Sequence, residues 1–173
     1  MPYQSPVNKI YQYFPIIEGV CLAAFAVGYL LKIMNYQGGP EIIILSLSAL
    51  SGIYFLNGYI PPQQIKEEDP TAKPQPLGFV ALFGRTIAPK ILSIGSSVAV
   101  TGILFAIQHW NGFREMLLIG SNSIAASAVV GLITTMNDEQ ARKTIGPMLI
   151  RAIPLMIVGI YLLMKYGIAS PTV

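Results

Sequence analysis

VGYLLKIMNYQGGPEIIIL, residues 27–45, and TGILFAIQHWNGFREMLLI, residues 101–119, are one pattern written twice at an offset of 74 positions. The offset pairs Gly28 with Gly102, Leu30 with Leu104, Ile33 with Ile107, Tyr36 with Trp110, Gly38 with Gly112 and Glu41 with Glu115. Each copy is an apolar stretch, a small polar turn and a second apolar stretch. In a chain of this composition that pattern predicts two membrane-spanning helices joined by a tight loop. Of 173 residues, 53% are hydrophobic and only 11% charged, and mean hydropathy is +0.59. So little polar surface cannot cover a water-soluble globule of this size, and the lipid bilayer is the expected surroundings.

A span needs about 20 mainly apolar residues to cross roughly 30 Å of hydrocarbon. Five segments qualify, at 14–35, 40–60, 89–108, 113–136 and 147–166. The expected fold is therefore an all-α integral membrane protein of five transmembrane helices, two parallel-repeat hairpins followed by a C-terminal helix. Residues 1–60 form a head and the first hairpin, 61–88 a proline-rich linker and interfacial segment, 89–136 the second hairpin, and 137–173 a polar loop and the last helix. The linker PPQQIKEEDPTAKPQP holds five prolines in sixteen residues, which disfavours helix and predicts an extended connector. Residues 77–88 are apolar but too short to cross, and are expected to lie along the inner interface or to re-enter the membrane ahead of the third span. Pro89 should open the third span, Pro147 the fifth, and Pro154 should kink the latter.

Lys and Arg divide eight to three between the two sides of such a topology. Lys9, Lys66, Lys73, Arg85, Lys90, Arg142, Lys143 and Arg151 lie on or near the side of the head, the linker and the 137–146 loop, and Lys32, Arg114 and Lys165 toward the other. The positive-inside rule then predicts a cytoplasmic N-terminus and an external C-terminus. The N-terminal residues lack the ordered basic, apolar and small-residue regions of a signal peptide, so the first span is expected to act as the insertion signal. Cys21 is the only cysteine, which excludes an intrachain disulfide. A scattered net charge of +3 argues against nucleic acid.

Small residues at helical spacing, Gly28, Gly95 and Gly102 above all, are expected where backbones approach. Ser48 and Asn122 correspond under the 74-residue offset, lie near the bilayer centre and are expected to join helices. Tyr36 and Trp110 should anchor the turns in the headgroup layer. His109 is the only histidine, and a lone imidazole is too few ligands for a metal or haem site, so it should cap its turn. Glu41 and Glu115 open the outgoing helices, where the helix dipole favours a carboxylate by about 0.3–1 kcal/mol. An external ion entry point pairing them with Lys32 or Arg114 is the functional alternative. Glu18 and Arg151 lie at comparable depths in the first and last spans and can pair if those helices are neighbours. No nucleophile with a base, phosphate-binding glycine loop or cofactor set is discernible, so neither enzymatic activity nor a cofactor is expected.

The stretch GILFAIQHWNGFREMLLIG, through Gly102, Phe105, Ile107, His109, Trp110, Gly112, Met116 and Gly120, resembles a hairpin of small Bacteroidota membrane proteins and of the N-terminal transmembrane part of the gliding-motility GldL family. Residues 28–45 resemble it more loosely. The resemblance implies a bacterial inner membrane and a proton-driven stator, with lysine and histidine near the turn and glutamate within the second helix. Here the lysine position holds Lys32 and Ala106, and the histidine position Asn35 and His109. Ser123 and Ile124 stand where the glutamate is expected. The resulting expectation is a non-catalytic scaffold or accessory subunit packed against other membrane subunits of a respiratory, motility or secretion assembly. A stator-like or channel-forming homo-oligomer and a transporter or enzyme with a lipidic substrate are the rivals.

Overall fold

A computed structural model describes residues 6–59, 86–137 and 139–167, with side chains over 13–59, 86–136, 142 and 145–166. Among them are five helices: α1 (Pro6–Ile33), α2 (Gly39–Tyr59), α3 (Ala88–Gln108), α4 (Phe113–Asn137) and α5 (Glu139–Leu162). A wider π turn, Leu163–Gly167, finishes α5. Each helix contains a stretch long and apolar enough to cross a bilayer. The protein is an all-α membrane protein. The expected linker lies outside the described residues as far as 85, and so does the C-terminal tail from 168.

Two boundaries differ from the expectation. The N-terminal head is helical from Pro6, whose missing N–H costs nothing in a first turn. The segment before the last span is helix from Glu139 onward, in place of a loop. Gln140, Ala141, Arg142 and Lys143 are good helix formers. Pro147 therefore sits inside α5 and does not open it. Pro154 also lies within a continuous helix, and both prolines are exposed.

Helix α3 is the hub, touching α2, α4 and α5, while α1 packs along α2. The apolar window of α3 is 61% buried, against 22% for each of the outer spans α1 and α5. Its sequence explains the difference. Ser93, Gly95, Ser96, Ser97, Ala99, Gly102 and Ala106 are all small and buried, so neighbours can approach on several sides. Against α4 the approach reaches the backbone: a Cβ added at Gly120 would lie 2.6 Å from the Ala99 nitrogen, and one at Gly95 2.9 Å from the Ser123 Cβ. Large apolar side chains then fill what remains, with Ile43, Leu50, Val100, Leu117 and Ile124 almost wholly enclosed.

The two hairpin turns have matching geometry. Asn35 and His109 are left-handed at φ 56° and 57°, and Gly38 and Gly112 follow at 91° and 88°. Tyr36 N–H donates to the Leu31 carbonyl at 2.9 Å and Trp110 N–H to that of Phe105 at 2.8 Å; Asn35 and His109 donate to Lys32 and Ala106 at 3.1 and 3.3 Å. These are paired Schellman bonds, which satisfy carbonyls that a helix end otherwise leaves open. Behind the turns, a Cβ on Gly28 would meet the Ile43 nitrogen at 3.1 Å, and one on Gly102 the Leu117 nitrogen at 3.0 Å. Ile43 and Leu117 are themselves 74 positions apart.

Candidate functional site

At the end of the bundle away from the turns, Glu18 of α1 is buried at 8% exposure. Both carboxylate oxygens are engaged. The Tyr54 hydroxyl of α2 donates to Oε1 at 2.7 Å, and Arg151 Nη1 of α5 lies 3.0 Å from Oε2. The three residues sit roughly 7–9 Å inside their spans, five or six residues at about 1.5 Å each. A carboxylate at that depth needs a counter-charge, and the guanidinium supplies it as a charge-assisted hydrogen bond. The expected pairing of Glu18 with Arg151 thus forms although α1 runs along α2, because the long arginine side chain reaches the carboxylate. Tyr54 was not foreseen, since nothing in a sequence distinguishes a tyrosine facing a carboxylate from one at a membrane boundary.

Beside the pair a groove is lined by Tyr54, Asn57, Ser93, Ser96, Met148 and Arg151, with Leu92 at its floor. The Arg151 side chain is 42% exposed, so it spans from the buried carboxylate to this groove.

At the turn end, Lys32 is half-buried and donates to the Ile107 carbonyl at 2.6 Å and, at 3.4 Å, to Gln108 Oε1. Gln108 in turn donates through Nε2 to the Pro40 carbonyl at 3.1 Å. A cation on the last carbonyls of α3 is favoured by the helix dipole. These bonds place both turns at one end of the bundle, so the hairpins run in the same direction. Lys32 turns inward to α3, while Glu41 and Glu115 are exposed in the first turns of α2 and α4. Arg114 is half-buried at the start of α4.

His109 occupies the left-handed capping position, its ring edge-on to Tyr166 at 5.7 Å. Trp110 is 42% exposed and packs edge-on against Phe105 at 5.2 Å, while Tyr36 points outward. Lys165 lies over the rings of Tyr161 and Tyr166, at 5.9 and 5.1 Å from their centroids.

Within the spans, Gly28, Gly95 and Gly102 stand at helix contacts, but Ser48 and Asn122, near mid-depth, are exposed. The physical reason is angular. The inward stripe of α2 is Ile43, Ser46, Leu47, Leu50 and Tyr54, and that of α4 is Leu117, Gly120, Ser121, Ile124 and Ala128. At about 100° per residue, positions 48 and 122 fall roughly 130–170° from those stripes. The polar contacts that do join helices near the middle are others: Ser51 Oγ lies 2.9 Å from both Ser97 Oγ and Thr101 Oγ1, linking α2 to α3. Buried Ser121 Oγ, facing Gly159 of α5, makes no hydrogen bond among the described residues.

Fold and polar arrangement together define a multi-pass, all-α membrane protein with its charged contacts at the two ends of a packed bundle. Comparison with protein families, with curated proteins and with solved structures finds no match to the chain.

Proposed function

We propose that this chain is a non-catalytic structural subunit of a larger assembly in a bacterial inner membrane, with its N-terminus cytoplasmic and its C-terminus periplasmic. The observation carrying this reading is Asn122. Its amide lies near the middle of the Phe113–Met136 span, on the outer face of α4, with no hydrogen-bond partner among the described residues. In lipid such a group leaves two donors and an acceptor unmet, at a cost of several kcal/mol on water-to-hydrocarbon scales. A polar group of an adjacent subunit removes that cost, and amides commonly serve so between transmembrane helices. Ser48, its counterpart on α2, can return its hydroxyl to its own backbone and makes no comparable demand. The likeness to the gliding-motility hairpin favours a motor or secretion assembly as the host, and the two hairpins are read as diverged copies of one unit.

Replacing Asn122 with leucine tests the proposal. The variant is expected to keep the wild-type melting point in detergent yet migrate on native gels, after mild extraction from its own membrane, as a smaller species. A photo-crosslinker at position 122 should capture a neighbour in the wild-type complex. Unchanged native size together with no crosslink would refute an α4 docking face, and a crosslink only to a second copy would replace the accessory reading with a homo-oligomer.

A further inference from the structure

The groove beside Arg151 has the donors of an anion site. Of the five N–H groups of a guanidinium, Arg151 directs one nitrogen to Glu18, its only acceptor among the described residues. Oε1 of Glu18 is held by the Tyr54 hydroxyl and Oε2 takes the single Arg151 nitrogen, so no second Arg151 nitrogen is bonded to the carboxylate. Asn57 and Ser93 line the same groove and make no side-chain hydrogen bond among the described residues. Ser96, also on the lining, returns its hydroxyl to the Leu92 carbonyl at 2.8 Å and contributes no free donor. Guanidinium, amide and hydroxyl thus converge from α5, α2 and α3 on one opening.

Depth selects the ligand. Arg151 lies six residues inside the Ile145–Tyr166 span, so its half-exposed head reaches back toward the headgroup layer. At that level the abundant acceptor with several oxygens, matched to a planar fork of N–H donors, is phosphate. Half-buried Met148 lines the opening with apolar surface suited to an acyl chain. We propose that Arg151, Asn57 and Ser93 form a binding site for a phosphate group, carried by a membrane phospholipid, that completes the polar junction of α2, α3 and α5.

The test uses the full chain delipidated in a mild detergent, titrated with phosphatidylglycerol, with diacylglycerol of the same chains, or with inorganic phosphate at constant ionic strength. Phosphatidylglycerol should raise the melting midpoint by roughly 3–5 °C through binding to the folded state alone. Diacylglycerol, which lacks the phosphate, should not. The double variant Asn57→Ala, Ser93→Ala preserves the ion pair with Glu18 and should need roughly ten-fold more phosphatidylglycerol for half the shift. Arg151→Lys, which retains charge without the fork, should weaken the response in the same direction. Lys165→Gln, at the opposite end, should leave it unchanged. Inorganic phosphate matching the lipid would identify a free anion as the source and uphold the phosphate chemistry. Equal shifts from diacylglycerol and phosphatidylglycerol, or an unaltered response in the double variant, would overturn the site.

Discussion

A single methylene matters most where two backbones touch. Gly102 brings the Leu117 nitrogen to 3.0 Å of its missing side chain, and Gly28 does the same for Ile43 at 3.1 Å. Gly52, by contrast, has nothing within 4 Å of an added Cβ. Leucine at the first two positions must separate helices, an overpacking cost of about 1–3 kcal/mol or more. Gly28→Leu and Gly102→Leu are therefore expected to lower thermal stability in detergent, whereas Gly52→Leu should be nearly neutral. Equal melting points for all three would show that the close approach does not support the fold. Glu18 illustrates the opposite kind of constraint. It is buried yet ionisable, and it persists because one hydroxyl and one guanidinium occupy its two oxygens.

Between helices, direction follows from the hairpins. Each turn is closed by the same pair of Schellman bonds, and Lys32 and Gln108 tie the turn of one hairpin to the end of the other. Both turns must then share one side of the membrane, and a fifth span carries the C-terminus to that side as well. The eight-to-three division of Lys and Arg predicts that this side is external. Cysteines introduced at Asn111 and Thr172 are expected to react with an impermeant thiol reagent in intact cells, while one at Gln64 should stay unlabelled. Native Cys21, buried within α1, should contribute no background. Labelling at position 64 would reverse the orientation.

For the molecule as a whole, the distribution of ionisable groups bears on transport. A proton relay across about 30 Å of hydrocarbon needs a titratable group near the middle. The mid-depth polar groups include Ser51, Ser97 and Thr101 between α2 and α3, Ser121 against α5, and Ser48 and Asn122 outside. None changes charge in the working pH range. The purified chain, reconstituted alone in liposomes under a membrane potential, is expected to give no proton flux above empty vesicles. A strong flux that Glu18→Gln abolishes would displace the structural-subunit proposal in favour of a stator.

The sequence by itself determined the number of spans, their limits to within two residues, and the two turns, because length, hydropathy and turn chemistry are local properties. Gly28, Gly95 and Gly102 were legible for the same reason: small residues at helical spacing admit a close backbone wherever one arrives. Only the tertiary structure decided which face of each helix turns inward. Ser48 and Asn122 were placed inside by depth, but rotation about the helix axis set them outside and turned Ser51, Ser97 and Thr101 inward. Tyr54 and Asn57 acquired their roles in the same way, since contact with Glu18 or with the Arg151 groove depends on how three helices cross. When nearly every helix is apolar all round, hydropathy carries depth but little rotation, and packing has to supply the rest.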